Sequence, residues 1–112
     1  MNKDCIFCEI IAKELPSTII TETNEIIVIK DINPKATIHY LILPKKHFSD
    51  LQSIENSDLE LVTKMLKLAK DISKNISDSN AFRLVINNGK DAGQIIFHLH
   101  IHFLSGKQIS KF

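Results

Sequence analysis

The stretch His98-Leu99-His100-Ile101-His102-Phe103-Leu104 alternates imidazole and apolar side chains with the period of two that marks a β-strand. On that reading Leu99, Ile101 and Phe103 point into a core. His98, His100 and His102 then stand in a row on the other face, neighbouring α-carbons ~7 Å apart. The chain has 5 histidines in all, so three in register is a concentration of groups that exchange protons near neutral pH. A polar strand face, metal binding, and acid, base or nucleophilic chemistry all remain open for the row. Because its outer members are about 13 Å apart, at most an adjacent pair can ligate one ion.

The segment Asn87-Asn88-Gly89-Lys90-Asp91-Ala92-Gly93-Gln94 leads into this strand. Its two glycines allow backbone N–H groups to turn towards an anion, although it lacks the spacing and lysine of a P-loop. An anion cradle beside a row of imidazoles is what attack on phosphorus requires, since charge on the equatorial oxygens must be met while a nucleophile is held in line. The juxtaposition points to phosphoryl or nucleotidyl transfer. Both cysteines fall in Cys5-Ile6-Phe7-Cys8, a metal half-site or a pair of buried thiols. A closed tetrahedral site needs two more ligands, and histidines 39, 47, 98, 100 and 102 are the soft candidates.

The remaining pattern predicts one α+β unit with an antiparallel sheet. Ile6, Phe7, Ile10 and Ile11 sit at helical spacing in a short helix over residues 6–13, stopped by Pro16. Thr18 to Glu22 and Ile26 to Asp31 read as a hairpin around Thr23-Asn24-Glu25; Asn33-Pro34 turns the chain into a third strand, His39 to Leu43. Ser57 and Glu60 form a capping box opening a long helix, Asp58 to Ile76. Its Val62, Met65, Ala69, Ile72 and Ile76, widened by Leu61 and Leu68, make a core-facing stripe. Phe82 to Asn87 and Phe97 to Leu104 complete five strands.

At 112 residues the chain is expected to form a single domain, residues 1–112. A net charge of +1, with 24% charged residues interspersed, provides no basic stripe, so neither nucleic acid nor an acidic membrane surface is an expected partner. No apolar run approaches a membrane span and the N-terminus lacks the apolar core of a secretory signal, so the expected location is the cytoplasm.

These segments resemble the histidine triad (HIT) family, defined by His-φ-His-φ-His-φ-φ with φ apolar, here His98 to Leu104. The resemblance extends over Cys5-Ile6-Phe7-Cys8-Glu9-Ile10-Ile11, Asp31-Ile32-Asn33-Pro34, His39 to His47, Asn87-Asn88-Gly89 and Gly93-Gln94. It is strongest to the Hint branch, homodimeric purine nucleoside phosphoramidases of the HIT-like fold, five antiparallel strands with one long and one short helix. It implies hydrolysis of the P–N bond of adenosine 5′-phosphoramidates, with AMP or GMP derivatives as ligands and no organic cofactor. By resemblance His100 is the nucleophile, His102 contacts the phosphate and helps protonate the leaving nitrogen, and His39 supports the row.

The same resemblance assigns Asp31 to the ribose, Ile6, Phe7, Ile10, Ile29 and Ile32 to the base, and Asn87 with the backbone of Gly93, Gln94 and Ile95 to the phosphate. It implies a structural Zn²⁺ on Cys5, Cys8, His47 and His98, and a two-fold contact through the long helix and the strand before the glycine loop. Ile95 stands where Hint relatives usually have serine or threonine, implying slower turnover or altered specificity. The chain also stops at Phe112 without the longer tail that tunes substrate choice in relatives. Other readings are a nucleotide-binding module with little turnover, a dinucleoside polyphosphate hydrolase, and a catalytic zinc hydrolase built on His39, His100 and His102.

Overall fold

Ile26 to Ile29 are buried without interruption, so this segment cannot be a half-exposed edge strand and must lie inside a sheet covered on both sides. In the computed structural model, which describes residues 4–76 and 80–107, it is strand β2 (Ile26–Lys30). Its neighbours are β1 (Ile19–Glu22) and β3 (Ile38–Pro44); beyond β3 come β5 (Ile101–Ser105) and β4 (Arg83–Val85). The order is β1-β2-β3-β5-β4, with every pair antiparallel. The Thr23 hydroxyl accepts from the Glu25 and Ile26 amides and so builds the β1–β2 turn.

Alternation divides the core. Ile26, Val28, Ile42, Ile101 and Phe103 pack with Met65 and Ala69 of helix α2 (Glu60–Ser73). On the other face Ile27, Ile29, Leu41 and Leu43 pack with Cys5, Phe7, Cys8, Ile10 and Ile11 on or beside helix α1 (Ile6–Ile11). A third cluster, Phe48, Ile54, Leu61 and Leu99, closes the end of the sheet where the histidine segment enters.

Several boundaries differ from expectation. Helix α1 stops at Ile11 instead of Lys13, because Lys13 adopts a left-handed φ of 64° while the Glu14 and Leu15 amides close back on Glu9 O. Ser57 does not cap α2: a 3₁₀ turn, Asn56–Asp58, precedes it, and the Asp58, Leu59 and Val62 amides bond to the carbonyls of Glu55, Asn56 and Leu59. Those backbone bonds take the place of a capping box. Strand β4 is three residues long, the chain leaving the ladder after Val85. Strand β5 begins at Ile101, not Phe97, since Leu99 N–H donates to Phe48 O and the His98 ring is drawn towards the cysteines.

The expected end of the long helix, at Ile76, lies past Ser73, where the Lys74 and Asn75 amides tighten into turns. The tail at 108–112 lies outside the described residues. Among the described residues no helix is long and apolar enough to cross a membrane. After β5, Gly106 has φ 88°, and a Cβ there would stand 2.7 Å from the Thr37 Cβ, in the segment where Thr37 and Lys107 exchange hydrogen bonds. Gly106→Ala is therefore expected to cost about 1–3 kcal/mol, readable as a lower urea midpoint with an unchanged m-value. An unchanged midpoint contradicts the strain argument.

Candidate active site

Although β5 starts late, the side-chain alternation survives through residues 98–103. Leu99, Ile101 and Phe103 enter the α2-side core clusters, while His98, His100 and His102 face α1 and β3. The edge of the Phe7 ring packs against both His98 and His100, with centroids 5.9 and 5.2 Å away. The His100 and His102 rings are 5.0 Å apart, and His102 meets His39 across the β3–β5 ladder.

One end of the row belongs to a metal-type cluster. Cys5, Cys8, His47 and His98 each bring one donor atom to within 4.8 Å of the others. Cys5 Sγ is 3.4 Å and Cys8 Sγ 3.6 Å from His98 Nδ1; Cys8 Sγ is 3.3 Å from His47 Nδ1, and the two Nδ1 atoms are 3.1 Å apart. A tetrahedral ion with ~2.3 Å bonds to sulfur and ~2.05 Å to nitrogen has S–N edges of about 3.5 Å and N–N edges of about 3.3 Å. The donors already stand at those separations. His98 Nε2–H donates to Pro44 O at 2.8 Å, which leaves the Nδ1 lone pair turned to the cluster. Two imidazole nitrogens facing each other at 3.1 Å require a proton or a cation between them. The residues fit a closed Cys₂His₂ site.

Partners also fix the tautomers of the other histidines. His100 Nδ1 lies 2.7 Å from His98 O; a carbonyl only accepts, so Nδ1 carries the proton and Nε2 the lone pair. At His39 the Lys35 N–H donates to Nδ1, so the proton is on Nε2, which donates to His102 Nδ1 at 2.9 Å. His102 must then hold its proton on Nε2. Asp31 Oδ2 is 3.4 Å from the same His39 Nε2, while Asp31 Oδ1 accepts from Asn33 N–H. Asp31, His39 and His102 are close enough to suggest a second ion site. Ligation through His39 Nε2 would strip that ring of both protons, and the arrangement suits a hydrogen-bond chain that orients the rings instead. This weighs against a catalytic metal on His39, His100 and His102.

Burial pushes the His100 imidazole below its ordinary range, and the His39 imidazole too. Burial, with the neighbouring charges of His100 and His39, pushes His102 down to about 4. All three are neutral at pH 7. A lowered histidine pKa favours the fold fully above ~6.5, and this contribution is lost as pH falls from there towards about 4, because the unfolded chain protonates first. The melting temperature is thus expected to drop across that window, less steeply in His102→Gln. Parallel curves for the two proteins contradict the assignment.

The glycine loop differs from a bare cradle. Gly93 N–H donates to Lys90 O and Gln94 N–H to Gly89 O, closing a 3₁₀ turn at Lys90–Ala92. The buried Gln94 side chain accepts from Gly89 N–H and donates to Ser49 O and Ile96 O. Asn88 Oδ1 accepts from Leu51 N–H. Gln94 is therefore a brace, and the Ile95 N–H takes no part in these bonds. Of the residues assigned to the base by resemblance, Phe7, Ile10 and Ile29 lie in the α1-side core, whereas Ile6 (44%) and Ile32 (88%) are exposed. Asp31 and Asn87 are half-buried, and the Ile95 side chain is 86% exposed. A cavity of about 420 Å³ runs past Ile6, Ile95 and Phe97 to Cys5 and His47.

Sequence reasoning did not supply the carbonyls of His98 and Pro44 or the Lys35 amide, because backbone partners leave no residue-type signature.

Residues 4–112 match the family described as "Scavenger mRNA decapping enzyme C-term binding". The chain is 40% identical over 110 residues to an uncharacterised HIT-like protein of Synechocystis, covering 98% of this chain and 96% of that one. It is 42% identical over 101 residues to protein HitA of Neisseria gonorrhoeae, covering 90% and 94%. The solved HIT family hydrolase of Clostridium thermocellum superposes with a TM-score of 0.92 at 39% identity, over 100% of this chain and 98% of that one.

Proposed function

This chain belongs to the histidine triad family, and from that premise we propose that it is a nucleotide-binding hydrolase that cleaves the P–N bond of purine nucleoside 5′-phosphoramidates. The observation that carries this reading is the 2.7 Å bond from His100 Nδ1–H to His98 O, which leaves a neutral imidazole with its Nε2 lone pair available. Nε2 attacks the α-phosphorus as the P–N bond breaks, and the departing amine takes the His102 Nε2 proton. His39 Nε2–H, donating to His102 Nδ1, holds that ring in place while its Nε2 is bare. Water then attacks phosphorus and gives its proton to His102 Nε2, the His100–phosphorus bond breaks, and the nucleoside monophosphate leaves.

The Ile95 amide is the phosphate donor closest in sequence to the row, with Asn87 and the loop braced by Gly93 and Gln94 beside it. Asp31 takes the ribose, and Ile6, Phe7, Ile10, Ile29 and Ile32 line the base side. Zn²⁺ on Cys5, Cys8, His47 and His98 holds the N-terminal segment to the sheet; when bound it supplies cross-linking, not chemistry at phosphorus. Strand β4 is a sheet edge, and together with α2 it is the face on which a second copy pairs. The protein acts in the cytoplasm.

An assay of fluorogenic adenosine 5′-phosphoramidate hydrolysis, run beside a dinucleoside polyphosphate and with AMP binding, tests the reading. Faster cleavage of the phosphoramidate supports it; a preference for the polyphosphate moves the chain to another branch, one in keeping with the decapping chemistry named for the matching family. The exposed apolar Ile95 favours one further reading, a binding module with little turnover, supported by AMP binding without cleavage. Restoring a hydroxyl donor near developing charge is worth up to ~10² in rate. Ile95→Ser is therefore expected to raise kcat, and an unchanged kcat shows that no side-chain donor is needed there.

A further inference from the structure

The cavity of about 420 Å³ beside Ile95 reaches one side of the Cys₂His₂ cluster. Cys5 and His47 form part of its wall, whereas Cys8 and His98 lie behind them, 1% and 0% exposed. The exposed side chains that line it, Ile6, Ile95 and Phe97, are apolar. A small apolar solute entering the cavity therefore meets Cys5 before Cys8. Both cysteines are free, their sulfur atoms lie within 4.8 Å of each other, and Cys8 N–H donates to Cys5 Sγ at 3.3 Å. A disulfide requires the two side chains to turn towards one another, which draws both sulfurs away from His47 and His98.

We propose that Cys5 is an oxidation site for alkyl hydroperoxides and that Cys8 resolves it. Metal-bound cysteines are thiolates, the nucleophilic form of the residue. Cys5 Sγ attacks the terminal hydroperoxide oxygen: the S–O bond forms, the O–O bond breaks, and the departing alkoxide takes a proton from water to become the alcohol. Cys8 Sγ then attacks Cys5 Sγ: the S–S bond forms, the S–O bond breaks, and hydroxide departs. Two thiolates lose two electrons in all, and the hydroperoxide is reduced to alcohol and hydroxide. With both thiolates spent, two of the four donors are gone and zinc is released. A thiol reductant reverses the step. The oxidation rests on the cavity and the two cysteines; the release of zinc rests on the Cys₂His₂ reading given above.

The test treats the zinc-loaded full chain with tert-butyl hydroperoxide beside a chromogenic zinc chelator and maps its cysteine peptides by mass spectrometry. Zinc is expected to appear in step with an intramolecular Cys5–Cys8 disulfide, well ahead of its release without peroxide. Dithiothreitol and added zinc are expected to restore the starting protein. Brief N-ethylmaleimide treatment of the same protein is expected to label Cys5 ahead of Cys8. Ser49 also lines the cavity. Ser49→Leu, which narrows it, is expected to slow the oxidation at least about fivefold, with zinc content and urea midpoint unchanged.

Thiols left intact under excess peroxide overturn the proposal, as do sulfinic acid formation without a disulfide, first labelling at Cys8, and an oxidation rate that folded Ser49→Leu leaves unchanged. If Ser49→Leu does not fold, Phe97→Glu tests the same route by making the cavity lining polar. A slower reaction of that variant with tert-butyl hydroperoxide but not with hydrogen peroxide supports the proposal, and rates equal to wild type with both oxidants overturn it. A chain that forms the disulfide yet takes up no zinc contradicts the metal assignment and leaves the oxidation site intact.

Discussion

His100→Ala is expected to lower phosphoramidate turnover by at least about 10⁴-fold while AMP binding stays within about threefold. The size of the loss follows from the tautomer geometry. His100 Nε2 is the lone pair that the bond from Nδ1–H to His98 O leaves available, and His102 cannot replace it, because His102 Nδ1 already accepts from His39. Truncation therefore removes the covalent route instead of weakening it. Binding survives because the proposed ribose and base contacts lie on Asp31 and on residues of α1, β2 and the following turn. Steady-state rates and calorimetric AMP titration on both proteins check this. A variant retaining a tenth of the activity contradicts the nucleophile assignment, and loss of AMP binding in a folded variant places His100 in recognition instead.

Removing the metal is expected to have the largest effect on stability. Cys5, Cys8 and His98 are buried and joined to a half-buried His47. With the ion gone, two thiols and two imidazole nitrogens are left facing one another at 3.1–3.6 Å. Folding of small metal domains commonly draws most of its free energy from such a site. Among the described residues two further hydrophobic clusters stand beyond the one around α1, so we expect loosening of that helix before collapse of the sheet. A loss of about 3 kcal/mol or more corresponds to a melting temperature at least ~10 °C lower for a domain of this size. Cys8→Ser should reproduce the shift without a chelator. A change under about 2 °C in both experiments contradicts the assignment of a structural site.

What could be read from the sequence followed side-chain periodicity. The alternation from His98 to Phe103 placed three histidines opposite Leu99, Ile101 and Phe103, and the structure keeps that division even where the strand ladder stops. The stripe of α2 likewise turns Leu61, Met65 and Ala69 inward. The errors arose where backbone bonding competes with side-chain signals. Ser57 looked like a cap, but a 3₁₀ turn held by backbone bonds leads into the helix, which starts with no side-chain cap. Residues 97–100 looked like strand, but His98 is drawn out of the ladder to the cysteines and Pro44. Similarly, two glycines suggested open amides, whereas the Gly93 and Gln94 amides are spent on closing their own turn. The tautomer chain from Lys35 through His39 to His102 depends on one backbone amide and on ring orientations, neither of which residue type encodes.

The central claim, a covalent nucleotidyl-His100 intermediate, is tested most directly by the stereochemical course at phosphorus. An adenosine phosphoramidate made chiral at phosphorus with sulfur and an oxygen isotope is hydrolysed, and the product configuration is read by ³¹P NMR. Attack by His100 followed by attack by water inverts phosphorus twice, so the account predicts net retention. Net inversion means that water attacks phosphorus directly, and it contradicts nucleophilic catalysis by His100.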